Sequence, residues 1–489
     1  MGYERLTATD ASFLHLETPH EPQHVGSLSY VEAGPLRDEQ GRVRLDEVRR
    51  SIEARLHKVP RLRQKVMFVP YRQGRPIWVD DERFDIDYHV RLTALPRPGD
   101  DRQLHELFSR LQSLPLDRGR PLWELWLVDG VEHDHLGLII KSHHALGDGI
   151  ANVDLVLTLV DLEREAPPDP PAPAYVPRPA PSPNRLLVDS VVEELSRPVG
   201  IARAAARAAR TPRELARTVG NAATALRQLG GMPPPAPWNV PVTKHRRWVS
   251  ADVAFDDVRA IRRRTGVTVN DVVLELCTAA LRTYLEQQGQ DVTGRTLKAM
   301  VPVSRRLDDE HGATLGNRVS LIVADLPIGD DDPHARLQAI HEQTSELKGA
   351  GIAEGVETVV GAAGELTWLA APMARLLSRT IPMNLVITNI PGPPVPLYVR
   401  GAEVKRAYPY VEVIDNEGLT IAVVSYQDHL FFGLTADRDV MPDLHLLAEG
   451  IEKEVRLLAE AVPASSDEPA QPSTDQGAAP DDEAAMGHA

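Results

Sequence analysis

KSHHALGDGI, residues Lys141 to Ile150, sets two adjacent histidines, His143 and His144, ahead of Asp148 and brackets that aspartate with Gly147 and Gly149. Just upstream, HLGLIIKS carries Leu136, Leu138, Ile139 and Ile140 in a short apolar run, which suits a strand buried on both faces. Downstream, IANVDLVLTLVDLER places Val153, Val156, Leu157 and Val160 at helical spacing. The histidines therefore occupy a strand-to-helix loop. Glycines let such a loop turn sharply, and loops held by rigid elements are where catalytic groups concentrate.

Neighbouring residues on an extended strand point to opposite faces, so His143 and His144 are poorly placed to share one zinc ion, and no HExxH or CxxC elsewhere supports a metal. A buried structural pair and a general base remain. A base needs an imidazole that titrates near working pH, and a carboxylate that fixes the loop or ring makes it reliable. No GxSxG elbow and no GxxxxGK[ST] loop is present, so acyl-serine and nucleotide chemistry recede. What is left is a histidine that deprotonates an alcohol, amine or thiol of a substrate.

The chain has 489 residues, enough for two or three domains, and a formal charge of −16. Six of the acids, from Asp467 to Glu483, fall in the tail after Pro463, which has no Lys or Arg, and removing them leaves −10. So acidic a body excludes a broad nucleic-acid surface, which requires clustered cations. The single cysteine, Cys277, lies at helical spacing in LELCTAAL and reads as a small buried hydrophobe; intrachain disulfides are excluded, consistent with a reducing, cytoplasmic compartment. MGYERLTATDAS shows no signal-peptide apolar run, and no apolar segment approaches the ~18 residues of a membrane span. Contact with lipid is expected from the side.

APPDPPAPAYVPRPAPSP, residues 166–183, holds nine prolines in eighteen residues and reads as an extended connector. An Ala/Arg-rich helical segment follows and ends at PPPAP. Residues 1–165 then form one lobe, 166–243 the connector and basic segment, 244–462 a second lobe, and 463–489 a disordered acidic tail. In the second lobe RRWVSADVAF, LKAMVPVS, RVSLIVADLP, LTIAVVSY and HLFFGLTAD read as strands, and VNDVVLELCTAALRTYLEQQ and DPHARLQAIHEQTSELK as helices. The predicted fold class is α/β (α+β), two lobes joined by a crossing segment.

HHALGDG fits the HHxxxDG signature of the CoA-dependent acyltransferase superfamily, which includes chloramphenicol acetyltransferases and peptide-synthetase condensation domains. More of the chain resembles the bacterial wax ester synthase/acyl-CoA:diacylglycerol acyltransferase family. The resemblance runs through LTATDASFLHLETPHEPQHVGSL, PLWELWLVDG, VNDVVLELCTAALRTYL, MVPVSRR, LGNRVSLIVADLP and NLVITNIPGP, between residue 6 and about residue 393. It implies two chloramphenicol-acetyltransferase-like lobes with an active-site channel between them, acyl-CoA as substrate rather than cofactor, and diacylglycerol or a fatty alcohol as acceptor. His144 would be the base. His143 and Asp148 would hold the loop, Asp148 through an arginine.

The chemistry then follows from ordinary acyl transfer: His144 takes the acceptor's proton, the oxygen attacks the thioester, and the imidazolium protonates the departing thiolate. Oxyanion donors are expected from the Gly149 amide or a polar group of the second lobe. Asn270 and Asp271 match the family's Asn-Asp motif, yet TVND is also what a helix start looks like, with Thr268 as cap. Trp123 and Glu124 in PLWEL either line the channel or pack a strand. Arg305, in the SRR of Ser304 to Arg306, would meet Asp148 or CoA phosphates, or lie solvated. Two rival functions stand beside the leading one: carrier-protein-dependent acyl transfer of the condensation type, and a catalytically silent lipid-binding protein. A basic helical face with Arg203, Arg207, Arg210 and Arg217 is the expected dock on an anionic membrane or lipid-droplet surface.

Overall fold

The structure, a computed structural model, describes residues 3–147, 160–171, 173–192, 234–304, 319–349 and 383–462. Ahead of the connector lie strands β1 (Glu4–Arg5), β2 (His24–Glu32), β3 (Gln64–Met67), β4 (Ile77–Asp80), β5 (Val90–Ala94), β6 (Trp123–Val131) and β7 (His135–His143). After it come β8 (Arg246–Ala254), β9 (Leu297–Ser304), β10 (Val319–Leu326), β11 (Leu385–Pro391), β12 (Tyr398–Val399), β13 (Ala402–Val411), β14 (Leu419–Tyr426) and β15 (His429–Asp437). The helices that bear on the site are α1 (Ala8–Leu16), α2 (Asp101–Gln112), α3 (Val269–Gln287), α4 (Pro333–Gly349) and α5 (Leu444–Ala461).

One six-stranded mixed sheet has the order β12-β13-β2-β7-β6-β5, and a second has β10-β9-β11-β14-β15-β8. Strands β1, β4 and β3, in that order, form a third, small sheet. The HLGLIIKS run forms β7, near the middle of its sheet, and Leu136, Leu138 and Ile139 are buried, as a continuous apolar strand requires. In the second lobe α3 is buried along most of its length, with Val272, Val273, Leu276 and Cys277 in the core, so it is apolar on nearly every side. Mid-helix, the buried carboxylate of Glu275 is gripped by Arg336 of α4 at 2.8 and 3.0 Å. That pairing lets the two charges share a core from which either alone would be excluded.

The Pro-rich connector is laid along the first lobe. Tyr175 donates to a main-chain oxygen of Arg63 or Asp81, each 3.2 Å away, Asp169 meets Arg55, and Arg178 meets Asp80 at 3.1 Å. Proline there costs no sheet hydrogen bonds, because the attachments are made mainly by the side chains of Asp169, Tyr175 and Arg178.

Sheet membership departs from chain order at one place. Strand β13, from the second half of the chain, pairs antiparallel with β2, Tyr408 opposite Leu28 and Val411 opposite Val25. The alternation in AYPYV says strand but does not name the partner, which is fixed by residues far earlier in the chain. Where β13 passes the second sheet the two backbones nearly touch: a Cβ on Gly433 of β15 would lie 1.8 Å from the Pro409 carbonyl oxygen. Rings interlock around this contact, with Phe108 4.7 Å from Trp248 and Tyr408 5.1 Å from Phe431, centroid to centroid. Trp248 Nε1 donates to the same Pro409 carbonyl at 3.2 Å.

Gly433→Ala is therefore expected to push the sheets apart and to lower stability by at least the ~1–3 kcal/mol typical of overpacking. Gly34→Ala is the matched control, since a Cβ there meets nothing within 4 Å. Thermal melts of the two variants should show a clear drop for the first and none for the second.

Candidate active site

Strand β7 ends at His143, directly opposite His24 of β2. The His143 amide donates to the Leu122 carbonyl at 3.0 Å and the His144 amide to the Gln23 carbonyl at 2.9 Å, so both histidine backbones are tied to flanking segments. Lys141, two residues earlier and almost fully buried, donates to the carbonyls of Leu111, at 2.7 Å, and Leu114. It thereby satisfies acceptors at the C-terminal end of α2. Burial lowers its pKa to about 8.

From His144 the chain turns through a single 3-10 turn, His144–Leu146. His143 Nδ1 accepts the Ala145 amide at 2.9 Å and so caps that turn. An accepting Nδ1 leaves the proton on Nε2, which points at Glu17 Oε1, 3.6 Å away. His143 is fully buried, and its neighbours are Glu17 and His24, whose Nε2 stands 3.4 Å from the same carboxylate oxygen. Arg118 closes the group with Nε 2.8 Å from Glu17 Oε2. Burial alone would raise the Glu17 carboxyl, but the His143 and His24 rings and the Arg118 guanidinium hold it well below the usual carboxylate range. Burial in turn lowers His24 to about 3.

His144 faces the other way. Its ring stacks on Phe13 of α1, centroids 4.3 Å apart and planes within 9°, and 18% of the side chain is exposed. Nε2 lies 3.6 Å from Glu412 Oε1, one residue past the end of β13. Burial, with a smaller contribution from the neighbouring His143, lowers its pKa to about 3. The ring is thus neutral at neutral pH and holds a lone pair for a proton, but it titrates well below the near-neutral range that a general base favours. Burial pushes the Glu412 carboxyl up to about 8, with Arg246 opposing the rise and Glu17 adding to it.

The structure brings His143 and His144 together with Phe13, Glu17 and Glu412. Sequence reasoning had not singled out these last three. Phe13 and Glu17 lie in SFLHLE of the opening segment, where their spacing across the end of α1 is visible once the helix is recognised. Glu412 carries no sequence signal, being one acid in a strand-like run. Asp148, Gly149 and Arg305 lie outside the described residues, as do Arg203, Arg207, Arg210 and Arg217. Trp123 is a packing residue: it is buried, stacks on His89 at 4.5 Å and donates to the Leu62 carbonyl at 2.8 Å. Glu124 accepts from Trp126 at 3.1 Å on the same strand.

Asn270 is half-buried in the first turn of α3. Asp271 completes a capping box with Thr268, accepting the Thr268 amide at 2.8 Å while Thr268 accepts its own. It also meets His341 Nδ1 at 2.8 Å and the Thr344 hydroxyl at 2.7 Å, both on α4. Burial would raise this carboxyl, and those partners hold it below its ordinary value instead. Asp271 thus locks α3 to α4.

Two mixed sheets joined by a crossing strand, with a His-His pair at the mouth of a central strand, are the CoA-acyltransferase-like fold. The likeness in fold extends to a starter condensation domain of a rhizomide synthetase, with TM-score 0.54 at 14% identity over 94% of each chain. The chain belongs to the wax ester synthase/diacylglycerol acyltransferase family: residues 6–273 match its catalytic domain and 315–459 its C-terminal domain. A probable diacylglycerol O-acyltransferase of Mycobacterium tuberculosis is 33% identical over 93% of this chain and 96% of its own. The wax ester synthase/diacylglycerol acyltransferase of Marinobacter aquaeolei VT8 is 28% identical, with TM-score 0.65 over 94% of this chain and 99% of that one.

Replacing Asp271 with Ala removes a cap worth about 1–2 kcal/mol and strands two hydrogen-bond donors. A lower melting temperature with kcat near that of the parent is expected, measured well below the transition. Lost turnover at an unchanged melting temperature would move Asp271 from the frame into the chemistry.

Proposed function

We propose that the protein transfers a long-chain acyl group from acyl-CoA directly to diacylglycerol, a long-chain fatty alcohol or both, with His144 as the general base. The observation that carries this reading is the His144 ring itself. It is neutral, held by stacking on Phe13, backed by an ordered backbone, and presents Nε2 to a partly open face. A hydroxyl brought to Nε2 loses its proton as its oxygen attacks the thioester carbon. The C–O bond forms, the C–S bond breaks, and the imidazolium returns the proton to the thiolate. A thiol leaves readily because its pKa is about 8.5, so one histidine serves both steps.

His143 supports this base without sharing its work. Its Nδ1 is committed to the Ala145 amide and its Nε2 faces Glu17, so it fixes the turn on which His144 rides. Asp148 is proposed to hold the far side of the loop through an arginine. The 33% identity to relatives called diacylglycerol O-acyltransferases supports diacylglycerol as an acceptor. The intact His-His-Asp-Gly motif argues against a silent lipid-binding protein.

Labelled palmitoyl-CoA incubated with dipalmitoylglycerol or hexadecanol should yield triacylglycerol or wax ester without any carrier protein. His144→Ala should cut kcat by about 10²- to 10⁴-fold while the melting temperature stays near that of the parent. Retention of more than about a tenth of the turnover would remove His144 from the role.

Acceptors of this class are nearly insoluble in water, and among the described residues no helix is long and apolar enough to cross a membrane. We therefore place the dock on the basic segment that carries Arg203, Arg207, Arg210 and Arg217, peripheral to the inner membrane face or a lipid droplet. Support comes from its charge in an otherwise acidic chain and from the helix at 183–192 that leads into it, which leaves Val188, Val191 and Val192 exposed. Each cation near an anionic surface contributes about 1 kcal/mol. Changing those four arginines to Gln should abolish flotation with anionic liposomes at low salt. Flotation equal to the parent's at low and high salt would assign docking to another surface.

A further inference from the structure

Glu412 is a buried carboxyl with no assigned task, and it stands where the chemistry takes place. Its Oε1 is 3.6 Å from His144 Nε2, and its Oε2 is buried with no hydrogen-bond partner among the described residues. Buried polar atoms are rarely left unpaired, and one beside a catalytic nitrogen is placed to receive a group that arrives with the substrate. A hydroxyl donating to Nε2 sits about 2.8 Å from it, which puts the attacked carbon and its carbonyl oxygen within reach of the Glu412 carboxyl.

We propose that Glu412 takes part in acyl transfer as a neutral carboxylic acid, donating a hydrogen bond to the thioester oxygen on which negative charge develops. The inference rests on His144 being the base for transfer from acyl-CoA. Glu412 keeps its proton throughout: the hydroxyl proton passes to His144 and then to the thiolate, and the acid's O–H only stabilises the oxyanion between those events. A backbone amide or the hydroxyl of a tyrosine does the same in other acyl-transfer sites, and a carboxyl kept neutral by apolar surroundings is an established donor elsewhere.

The groups around Glu412 favour its neutral form. From the end of α1, Glu17 is ionised, and its charge opposes a second carboxylate nearby. From the 3-10 turn, His144 is neutral. Tyr410, on β13 itself, is pushed upward by burial and carries no charge. From β8, Arg246 is the one opposing cation, and its two terminal nitrogens are turned to the main-chain carbonyls of Thr243 and His20. The Thr420 hydroxyl on β14 goes to the Glu412 main-chain oxygen at 2.9 Å rather than to the carboxyl. Burial therefore outweighs the hydrogen bond from Glu412's own main-chain amide and the arginine, and the acid form persists up to about pH 8.

Turnover that needs the protonated acid falls as pH rises through about 8, because the carboxylate can no longer donate. The test uses the full-length enzyme with labelled palmitoyl-CoA and dipalmitoylglycerol from about pH 6 to about pH 10. Glu412→Leu should lower kcat by about 10²- to 10³-fold with little change in KM. Glu412→Gln, whose amide still donates, should stay within about tenfold of the parent at pH 7 and lose the parent's alkaline fall. The proposal is overturned if Glu412→Leu keeps more than about a tenth of the turnover. It is equally overturned if Glu412→Gln is as inactive as Glu412→Leu, which would mean that a carboxylate is required, or if it keeps the alkaline fall. Should Glu412→Leu melt well below the parent, the pH profile of Glu412→Gln decides alone. A parent that makes no product sinks the acyltransfer reading itself, so the two failures are distinguishable.

Discussion

The pairing of β13 with β2 is the contact on which the rest of the molecule depends. It takes a strand from the second half of the chain and hydrogen-bonds it into the sheet of the first, so that sheet is not complete without the second half of the chain. The same pairing brings the residue after Val411 to the end of β7, where β2 also delivers His24. Three strands thus converge on one point, and the ladder register that aligns Val411 with Val25 also sets Glu412 against His144. A slip of one residue would turn every side chain of β13 to the opposite face. The approach of Gly433 to Pro409 resists such a slip, because only a residue without Cβ fits there and only at that register.

Around that point the structure gives the two adjacent histidines separate jobs. His143 is turned into a closed polar group, where Glu17 carries a charge compensated by Arg118. Its hydrogen bond to Ala145 fixes both its tautomer and the turn. His144, one residue on, faces an aromatic ring and a partly open space. The end of β7 at His143 and the start of the 3-10 turn at His144 make this division possible. Lys141 adds a third anchor beneath them, tying β7 to the end of α2.

Much of this was legible in the sequence because it depends on local pattern. The apolar run of HLGLIIKS, the alternation in LTIAVVSY and HLFFGLTAD, and the capped, apolar stretch beginning at Thr268 each became the predicted element. The His-His motif announced its own importance, since few other arrangements place two imidazoles at a strand end. Two things were not legible. The sheet that receives β13 is chosen by partners remote in sequence, which a residue-by-residue pattern does not contain. Glu412 and Glu17 look like surface acids until the fold buries them, and only then does their spacing to the histidines exist. TVND fits both a family motif and a helix start, and the partners that tie Asp271 to the helix frame, Thr268, His341 and Thr344, come together only in the fold.

One physical cause, removal from water, shapes the reaction centre in opposite directions for its two titratable groups. It lowers the imidazole of His144 and raises the carboxyl of Glu412, so both are uncharged at neutral pH. The compensated charge of Glu17 and Arg118 is held on the His143 side of the strand. The expected reactants, a thioester and an alcohol, are uncharged at the bonds that react, and they enter such a centre without an electrostatic penalty. Charge then appears only at the tetrahedral stage, on the imidazolium and the oxyanion together. Groups that are fixed in place and respond only to that charge lower the barrier without tightening the ground state, which is the condition for raising turnover rather than merely affinity.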